Sequence, residues 1–199
     1  MTENIPWPHK GDKLFKSGTD WWHNAGLNYP GIDINAYTLG YKQAADFLVR
    51  HVSQVRRYQD TLVYPIAFLY RQYLELRLKQ LIRSGIMLLG MPRMSKKLHH
   101  KIDQYWKQCR SIMETIWPDE KPADFDAIEE CIDEFIRIDP SSTGFRYPTS
   151  KDGSPSLKGL THINLRNLGE VMDRIAALLD GASTGIYELI QVKYDMESW

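Results

Sequence analysis

The chain has 199 residues, enough for one well-buried domain with short appendages. Its 25 basic and 25 acidic residues balance, so no overall field draws it to nucleic acid or to a membrane surface. The two cysteines form no CxxC pair and the six histidines are scattered, which argues against a structural zinc site, and the sequence indicates no cofactor.

Residues 1–33 differ from the rest of the chain, because they hold Trp7, Trp21 and Trp22 among prolines and glycines with little periodicity. Such a segment is irregular but too aromatic for simple disorder, so we predict an arm packed on a helical domain at 34–199. The arm lacks the apolar run of a signal peptide, and no run in the chain reaches membrane-spanning length. We therefore expect a cytoplasmic protein with no membrane partner.

The first predicted helix follows the arm and is expected to be capped by Asp33 or Asn35. Its apolar residues repeat at close to heptad spacing, and we expect it to run to about Gln59. Asp60 and Thr61 then separate it from the next helix. A connection this short predicts that the two helices are antiparallel neighbours.

The most basic local patch in the chain lies at the end of this first helix. It is formed by Arg50, His51, Arg56 and Arg57. Cations at this position complement the negative end of the helix dipole, which is the structural interpretation. Contact with a phosphate group is the functional alternative.

The stretch YPIAFLYRQYLELRLKQLIR, residues 64–83, predicts the central helix, because its apolar residues fill a broad arc of the helical wheel. Arg71 and Glu75 fall on the polar side, and Glu75 with Lys79 is expected to be an ordinary surface ion pair. Arg77 falls inside the apolar arc. A guanidinium there needs either an acid from another helix or a polar cleft, so Arg77 is a structural or a ligand-binding residue.

Further amphipathic helices are predicted after the central one. Gly85, Gly90 and Pro92 break the pattern, and Ser95 is expected to cap a third helix. The apolar residues of that helix recur between Leu98 and Ile116 with i, i+3, i+4 and i+7 spacing.

A fourth helix is predicted to open at Asp124 and to end at Asp139-Pro140. A fifth occupies residues 165–179 and is expected to end at Asp180-Gly181, with a short final helix at 184–196. These elements predict an all-α fold, a single-domain bundle of about five helices with an irregular Trp-rich arm and one long ordered loop.

That loop, residues 139–164, is long for a compact domain, and such loops are usually functional or disordered. We expect order, because Phe145, Arg146 and Tyr147 are costly to leave loose. The turn signal Lys151-Asp152-Gly153-Ser154 adds a small hairpin to this prediction.

Arg146 lies between two aromatic residues in the FRYP sequence of this loop, residues 145–148, where it could hold a base and its phosphate. Under the structural alternative, Asp139 and the neighbouring serines make turns while Arg146 pairs with a helix carboxylate such as Glu134. Asp139 could also be the acidic partner of Arg77.

Arg93, His99 and His100 form a second candidate site across a loop and the start of the third helix. An arginine can hold a phosphate while a histidine acts as general acid or base in cleaving RNA through its 2′-hydroxyl. That chemistry needs no metal ion. The alternative is that these are simply exposed residues at a helix start.

Helix content and order, the YRQYLELRLKQLI helix and the Arg93…His99/His100 spacing resemble the small bacterial members of the HEPN superfamily, over about residues 35–180. Those proteins are helical bundles, often dimeric, from toxin–antitoxin and antiphage systems, and their signature is Arg, four to six residues, then His. The resemblance implies a homodimer in which these residues are catalytic. In active members the signature begins a late helix, whereas here it begins the third.

Two functions follow as expectations. The first is a HEPN-like protein of bacterial defence or toxin–antitoxin type, acting as a metal-independent ribonuclease through Arg93, His99 and His100, with RNA and a partner protein of the same system as its partners. The alternative is a non-catalytic binding or scaffold protein that recognises a partner protein or a nucleotide through the Trp arm and the FRYP sequence. The expected ligand-binding residues are Arg71, Glu75, Arg77, Asp139, Arg146 and Tyr147.

Overall fold

A computed structural model describes residues 7–28, 33–92 and 101–198 of the chain. The described residues contain no β-strand, and no helix among them is long and apolar enough to cross a membrane. The prediction of an all-α bundle of about five helices is confirmed. The helices are α1 (Ile34–Val55), α2 (Gln59–Leu89), α3 (Ile102–Ile116), α4 (Pro122–Ile138) and α5 (Leu165–Glu197).

The chain divides between Ile32 and Asp33 into two compact units. In the first unit, a 3-10 turn at Trp21–His23 stacks the indoles of Trp21 and Trp22, with ring centroids 3.9 Å apart. The Asn24 side chain closes this turn by bonding the backbone N–H and carbonyl of Gly18, at 2.8 and 2.9 Å. The packing of the arm on the bundle stays a prediction.

Helix α2 is the central helix of the second unit, as predicted, and it contacts α1, α3 and α5, while α3 packs on α4. Tyr70, Tyr73, Leu74 and Leu78 of this helix are fully buried. The helix extends beyond the predicted 64–83 at both ends, from Gln59 to Leu89.

The link between α1 and α2 lies earlier in the chain than predicted. Helix α1 ends at Val55, and residues 56–58 turn the chain with two left-handed residues, Arg56 (φ 53°) and Tyr58 (φ 70°). Two such residues reverse the chain direction within three positions, so Asp60 and Thr61 already belong to α2. At the other end of α1, Asp33 is the cap, accepting from the backbone N–H of Asn35 at 2.8 Å.

Gly85 does not break α2, contrary to the prediction. The helix continues through it to Leu89 and ends at Gly90, whose φ of 64° is the left-handed conformation of a helix terminator. A Cβ atom on Gly85 would lie 2.2 Å from Cγ2 of Ile112 on α3. Gly85 therefore allows Ile112 of α3 to lie close to the backbone of α2.

Helices α3 and α4 follow the predicted pattern with shifted starts. Ser95 and Leu98 lie outside the described residues, and α3 is described from Ile102. Helix α4 begins at Pro122 rather than at Asp124. Proline is favoured in the first turn of a helix, because the N–H group that it lacks would have no partner within the helix there.

Helix α5 is one continuous helix, so the predicted stop at Asp180-Gly181 and the separate helix at 184–196 are wrong. Asp180 is turned toward Arg77 of α2 rather than toward a helix end. One turn further on, a Cβ on Gly185 would lie 3.0 Å from the Trp117 ring, so this glycine provides a packing contact. Tertiary contacts therefore override the stop signal.

The loop between α4 and α5 contains the predicted hairpin in a reduced form, a turn closed by one antiparallel bridge between Thr149 and Pro155. The backbone N–H of Ser150 donates to the carbonyl of Ser154 at 2.8 Å. Gly153 occupies the left-handed position of this turn, with φ of 80°.

We predict that Gly85→Ala lowers the free energy of unfolding by about 1–3 kcal/mol, because the new methyl group overpacks the contact with the stiff, buried Ile112. Gly181→Ala is the matched control, since its Cβ would meet nothing within 4 Å. It should raise stability by up to about 1 kcal/mol, the helical preference for alanine. Urea unfolding followed by circular dichroism measures both, and equal gains in the two variants would contradict the close approach of α3.

Candidate functional site

One face of α2 carries charged side chains that are buried. Arg71 and Glu75 are only 1% and 2% exposed, and Asp139, the first residue after α4, is 2% exposed. With Lys79 and Asp103 these residues form what we call the charged cluster. The prediction that Arg71 and Glu75 lie on an exposed face is wrong, because the loop after α4 and the start of α3 cover that face of α2.

The charged cluster balances one guanidinium against several carboxylates. Burial lowers the pKa of Arg71, while the negative charges of Asp139, Glu75 and Asp103 oppose that shift, Asp139 most strongly. Glu75 accepts from Nζ of Lys79 at 2.6 Å. The Glu75 side chain is 3% exposed and that of Lys79 is 32% exposed, so this pair is not the ordinary surface pair that was predicted.

Asp139 also organises the first turn of the loop. Its Oδ1 atom accepts from the backbone N–H groups of Thr143 and Gly144, both at 2.9 Å. A Cβ on Gly144 would lie 2.9 Å from Leu157 and 3.2 Å from the Asp139 carboxyl group, so the chain passes close to this carboxylate. One side chain thus holds the loop and contributes negative charge beside Arg71 of α2.

Arg146 is exposed and is held in place by its surroundings. Its Nε donates to the carbonyl of Ser142 at 3.0 Å, and its Cζ lies 5.6 Å from the ring centroids of both Phe68 and Tyr147. The prediction that Phe145 flanks this arginine is wrong, because Phe145 is 6% exposed and faces the interior. Among the described residues, no carboxylate pairs with Arg146.

Phe68 is the site residue that sequence reasoning missed. It precedes Arg71 by three residues and Glu75 by seven, so all three lie on one face of α2. An aromatic residue on an otherwise charged helix face was the available signal. Only the fold of the loop brings Arg146 onto this ring.

A cavity of about 260 Å³ adjoins this site. Apolar side chains of α4 and α5 form most of its walls, and Phe145 closes one side. Polar groups that line it come from Glu134, His162, Asn164 and Asn167, so one of them is a carboxylate. The cavity therefore has the general character of a small-molecule or base pocket, with apolar walls and a few polar groups.

Arg77 lies apart from the charged cluster. Its Nε is 2.8 Å from Oδ1 of Asp180 on α5, and its Nη1 donates to Gln80 at 2.8 Å. Tyr73 donates to the same carboxylate at 2.9 Å. The predicted pair of Arg77 with Asp139 is wrong, because six residues turn a helix by about 240° and so Arg77 and Arg71 face different neighbours.

This geometry agrees with the structural interpretation of Arg77. The residue is 3% exposed, and its guanidinium pairs with Asp180, an acid from another helix. Its partners differ from those of Arg71 and Arg146. Five of the six expected ligand-binding residues thus belong to the charged cluster and the adjoining loop, and Arg77 does not.

Arg93, His99 and His100 lie outside the described residues. The described chain resumes at Lys101, and Asp103 in the first turn of α3 is part of the charged cluster. Within the described ranges, no group of three or more His, Cys, Asp or Glu side chains could hold a metal ion.

Comparison of the chain with protein-family models, with curated proteins and with solved structures finds no match.

We predict that Asp139→Ala lowers the free energy of unfolding by about 3 kcal/mol, because the buried N–H of Gly144 and the half-buried N–H of Thr143 lose their acceptor and Arg71 loses its strongest negative neighbour. Asp139→Asn keeps an acceptor oxygen and should cost less, about 1–2 kcal/mol. Urea unfolding measures both, with the exposed Asp133→Asn on α4 as control. Equal stability of all three variants would contradict the role given to Asp139.

Proposed function

We propose that this chain is a HEPN-like helical protein of a bacterial defence or toxin–antitoxin system that binds RNA through Arg146 and Tyr147. The observation that carries the proposal is the presentation of Arg146. Its guanidinium is exposed, positioned through Nε and flanked by two aromatic rings. Among the described residues, nothing accepts a hydrogen bond from its two terminal nitrogens.

Those features suit a nucleotide. The two terminal nitrogens of a guanidinium match two phosphate oxygens, and such bidentate pairs are stronger than neutral hydrogen bonds. Tyr147 is 57% exposed, so its ring offers a stacking surface for a base. The same residues would suit an acidic peptide less well, because a peptide carboxylate brings no base to stack.

The charged cluster supports the site by fixing the loop beneath Arg146. Asp139 accepts hydrogen bonds from the backbone N–H groups of Thr143 and Gly144. Ser142, which precedes Thr143, supplies the carbonyl that orients Arg146. A binding group gains affinity when its position is fixed before the ligand arrives. The buried acids thus act on binding through the loop and not by touching RNA.

Cleavage of the bound RNA is the second candidate function, with Arg93 holding a phosphate and His99 or His100 as general acid or base. Its support is the spacing of Arg93 and His99 or His100 in the sequence, which resembles the HEPN signature. The resemblance to HEPN proteins further implies a homodimer.

We predict that Arg146→Gln weakens the binding of a labelled single-stranded RNA about tenfold or more, because a charge-assisted bidentate contact is lost. Tyr147→Ala should weaken binding by about 5- to 100-fold through lost stacking, while Tyr147→Phe should change little. Arg83→Gln removes an exposed arginine from the distant end of α2 and is the control. Fluorescence anisotropy measures all four.

Failure of the folded wild-type protein to bind RNA at low salt would refute this function. Co-purification of a protein from the same system, lost in Arg146→Gln, would then favour the scaffold alternative.

We predict that the purified protein cleaves total bacterial RNA with EDTA present, because the proposed acid–base chemistry needs no metal ion. Arg93→Ala and one or both of His99→Ala and His100→Ala should each lower the rate by about 100-fold or more. Gel analysis of the products measures this. Unchanged cleavage in all three variants would exclude them as the catalytic residues, and no cleavage by a folded protein that binds RNA would leave binding as the function.

A further inference from the structure

We infer that a second phosphate of the same RNA binds in a cleft between the end of α1 and the start of α5, where it contacts Arg56 and Arg166. This inference rests on the proposed RNA binding. The cleft has a volume of about 450 Å³. Its polar lining consists of Ser53, Arg56, Gln59, Asn164 and Arg166, and no acidic side chain lines it within the described part of the chain.

The two arginines come from separate elements but face the same opening. Arg56 belongs to the link after α1, and Arg166 to the first turn of α5. Both side chains are exposed, and neither forms an ion pair with any described residue. Two guanidinium groups that share a cleft repel each other unless an anion lies between them, so the arrangement favours an anionic ligand.

Other arginines of the chain show that this absence of carboxylates is not general. Arg110 on α3 pairs with Glu114, Asp126 and Glu129, all within 2.8 Å. Arg77 pairs with Asp180. In a chain with as many acids as bases, carboxylates are available for pairing. None lines this cleft within the described residues, so Arg56 and Arg166 are the charged side chains of its described lining.

The backbone at Arg56 is unusual for a side chain of this size. Its φ of 53° is left-handed, and its N–H donates to the carbonyl of Val52 at 2.8 Å. Left-handed residues other than glycine are uncommon and cost free energy, and they concentrate at functional sites. The conformation closes α1 while keeping Arg56 at the cleft.

The cleft shares part of its lining with the 260 Å³ cavity. Ile163 and Asn164 line both this cleft and the 260 Å³ cavity, and that cavity is also lined by Phe145, the neighbour of Arg146. Along α2, Gln59 at the cleft and Phe68 beneath Arg146 are nine residues apart, which is about 13.5 Å along the axis and about half a turn around the helix. A strand that links the two sites must pass around the bundle as well as along it, so about four nucleotides, at about 3.4 Å each, is a lower bound on its length.

The ligand that fits both sites is single-stranded RNA, whose phosphates repeat along a flexible chain. A free phosphate or a mononucleotide could occupy either site but would not link them. The dependence of binding on RNA length therefore distinguishes an RNA strand from a free phosphate or a mononucleotide as the ligand. A dinucleotide should depend on Arg146 alone, and a strand of about 12 nucleotides should depend on both sites.

The test uses fluorescence anisotropy of the full chain with fluorescein-labelled single-stranded RNAs of about 2 and about 12 nucleotides. The cleft variant combines Arg56→Asn with Arg166→Gln, because asparagine tolerates the left-handed conformation and both changes remove the positive charge while keeping a polar side chain. Arg83→Gln again serves as the control for loss of one exposed arginine. Circular dichroism verifies that every variant is folded.

We expect the cleft variant to weaken binding of the longer RNA by about tenfold or more and to leave binding of the dinucleotide unchanged. The slope of log K against log salt should fall by about 0.7, since one phosphate contact on a single strand contributes about 0.7. Arg146→Gln should weaken both RNAs and lower the slope by about 0.7.

Three results overturn the inference in distinguishable ways. If the longer RNA binds the cleft variant and Arg83→Gln equally well while Arg146→Gln is impaired, the cleft is not a contact and the proposed function stands. If the cleft variant weakens both RNAs equally, its effect is not a second phosphate contact. If the folded wild type binds neither RNA at low salt, the proposed function fails and the inference with it.

Discussion

Helix α2 contains two buried arginines, and the elements around it supply the carboxylates that these guanidinium groups require. A guanidinium keeps its proton at any accessible pH, so each one must be balanced where it lies. Arg71 is balanced mainly by Asp139 and Glu75, and Arg77 by Asp180. Leaving such a charge without its partner costs several kcal/mol, a large share of the stability of a domain this size.

This requirement explains why two residues that mark helix ends in the sequence have other roles in the fold. Asp139 follows α4 directly, yet its carboxylate accepts hydrogen bonds from the backbone of the next turn and places negative charge near Arg71. Asp180 precedes a glycine and is a typical helix-ending residue. Here α5 continues past it, because Asp180 must face Arg77 and Tyr73 from within the helix.

The helices themselves could be predicted from sequence because their periodicity is a local property. The central position of α2 and the cap at Asp33 also follow from local patterns. The site could not be predicted in the same way. A helical wheel ranks faces by polarity, and it placed Arg71 and Glu75 toward solvent because it contains no information on the loop that covers them.

Gly85 and Phe68 show the same limit of prediction from sequence, because one gave a misleading signal and the other gave almost none. A glycine in a helical pattern signals a break, but its function here is to admit Ile112 of α3, which lies 27 residues further along the chain. Phe68 gave almost no signal, since its partner Arg146 lies in a loop 78 residues away. Both cases depend on contacts between distant parts of the chain, which a single sequence does not specify.

The described arginines separate into two groups, and the separation bears on function. Arg71, Arg77 and Arg110 are compensated by carboxylates and hold elements together. Arg146 and Arg166 are exposed and form no ion pair with a described residue. Because the chain has no net charge, it gains little from long-range attraction to a polyanion. Affinity for RNA must then come from the few positions where cations are left unbalanced and an aromatic surface lies beside them.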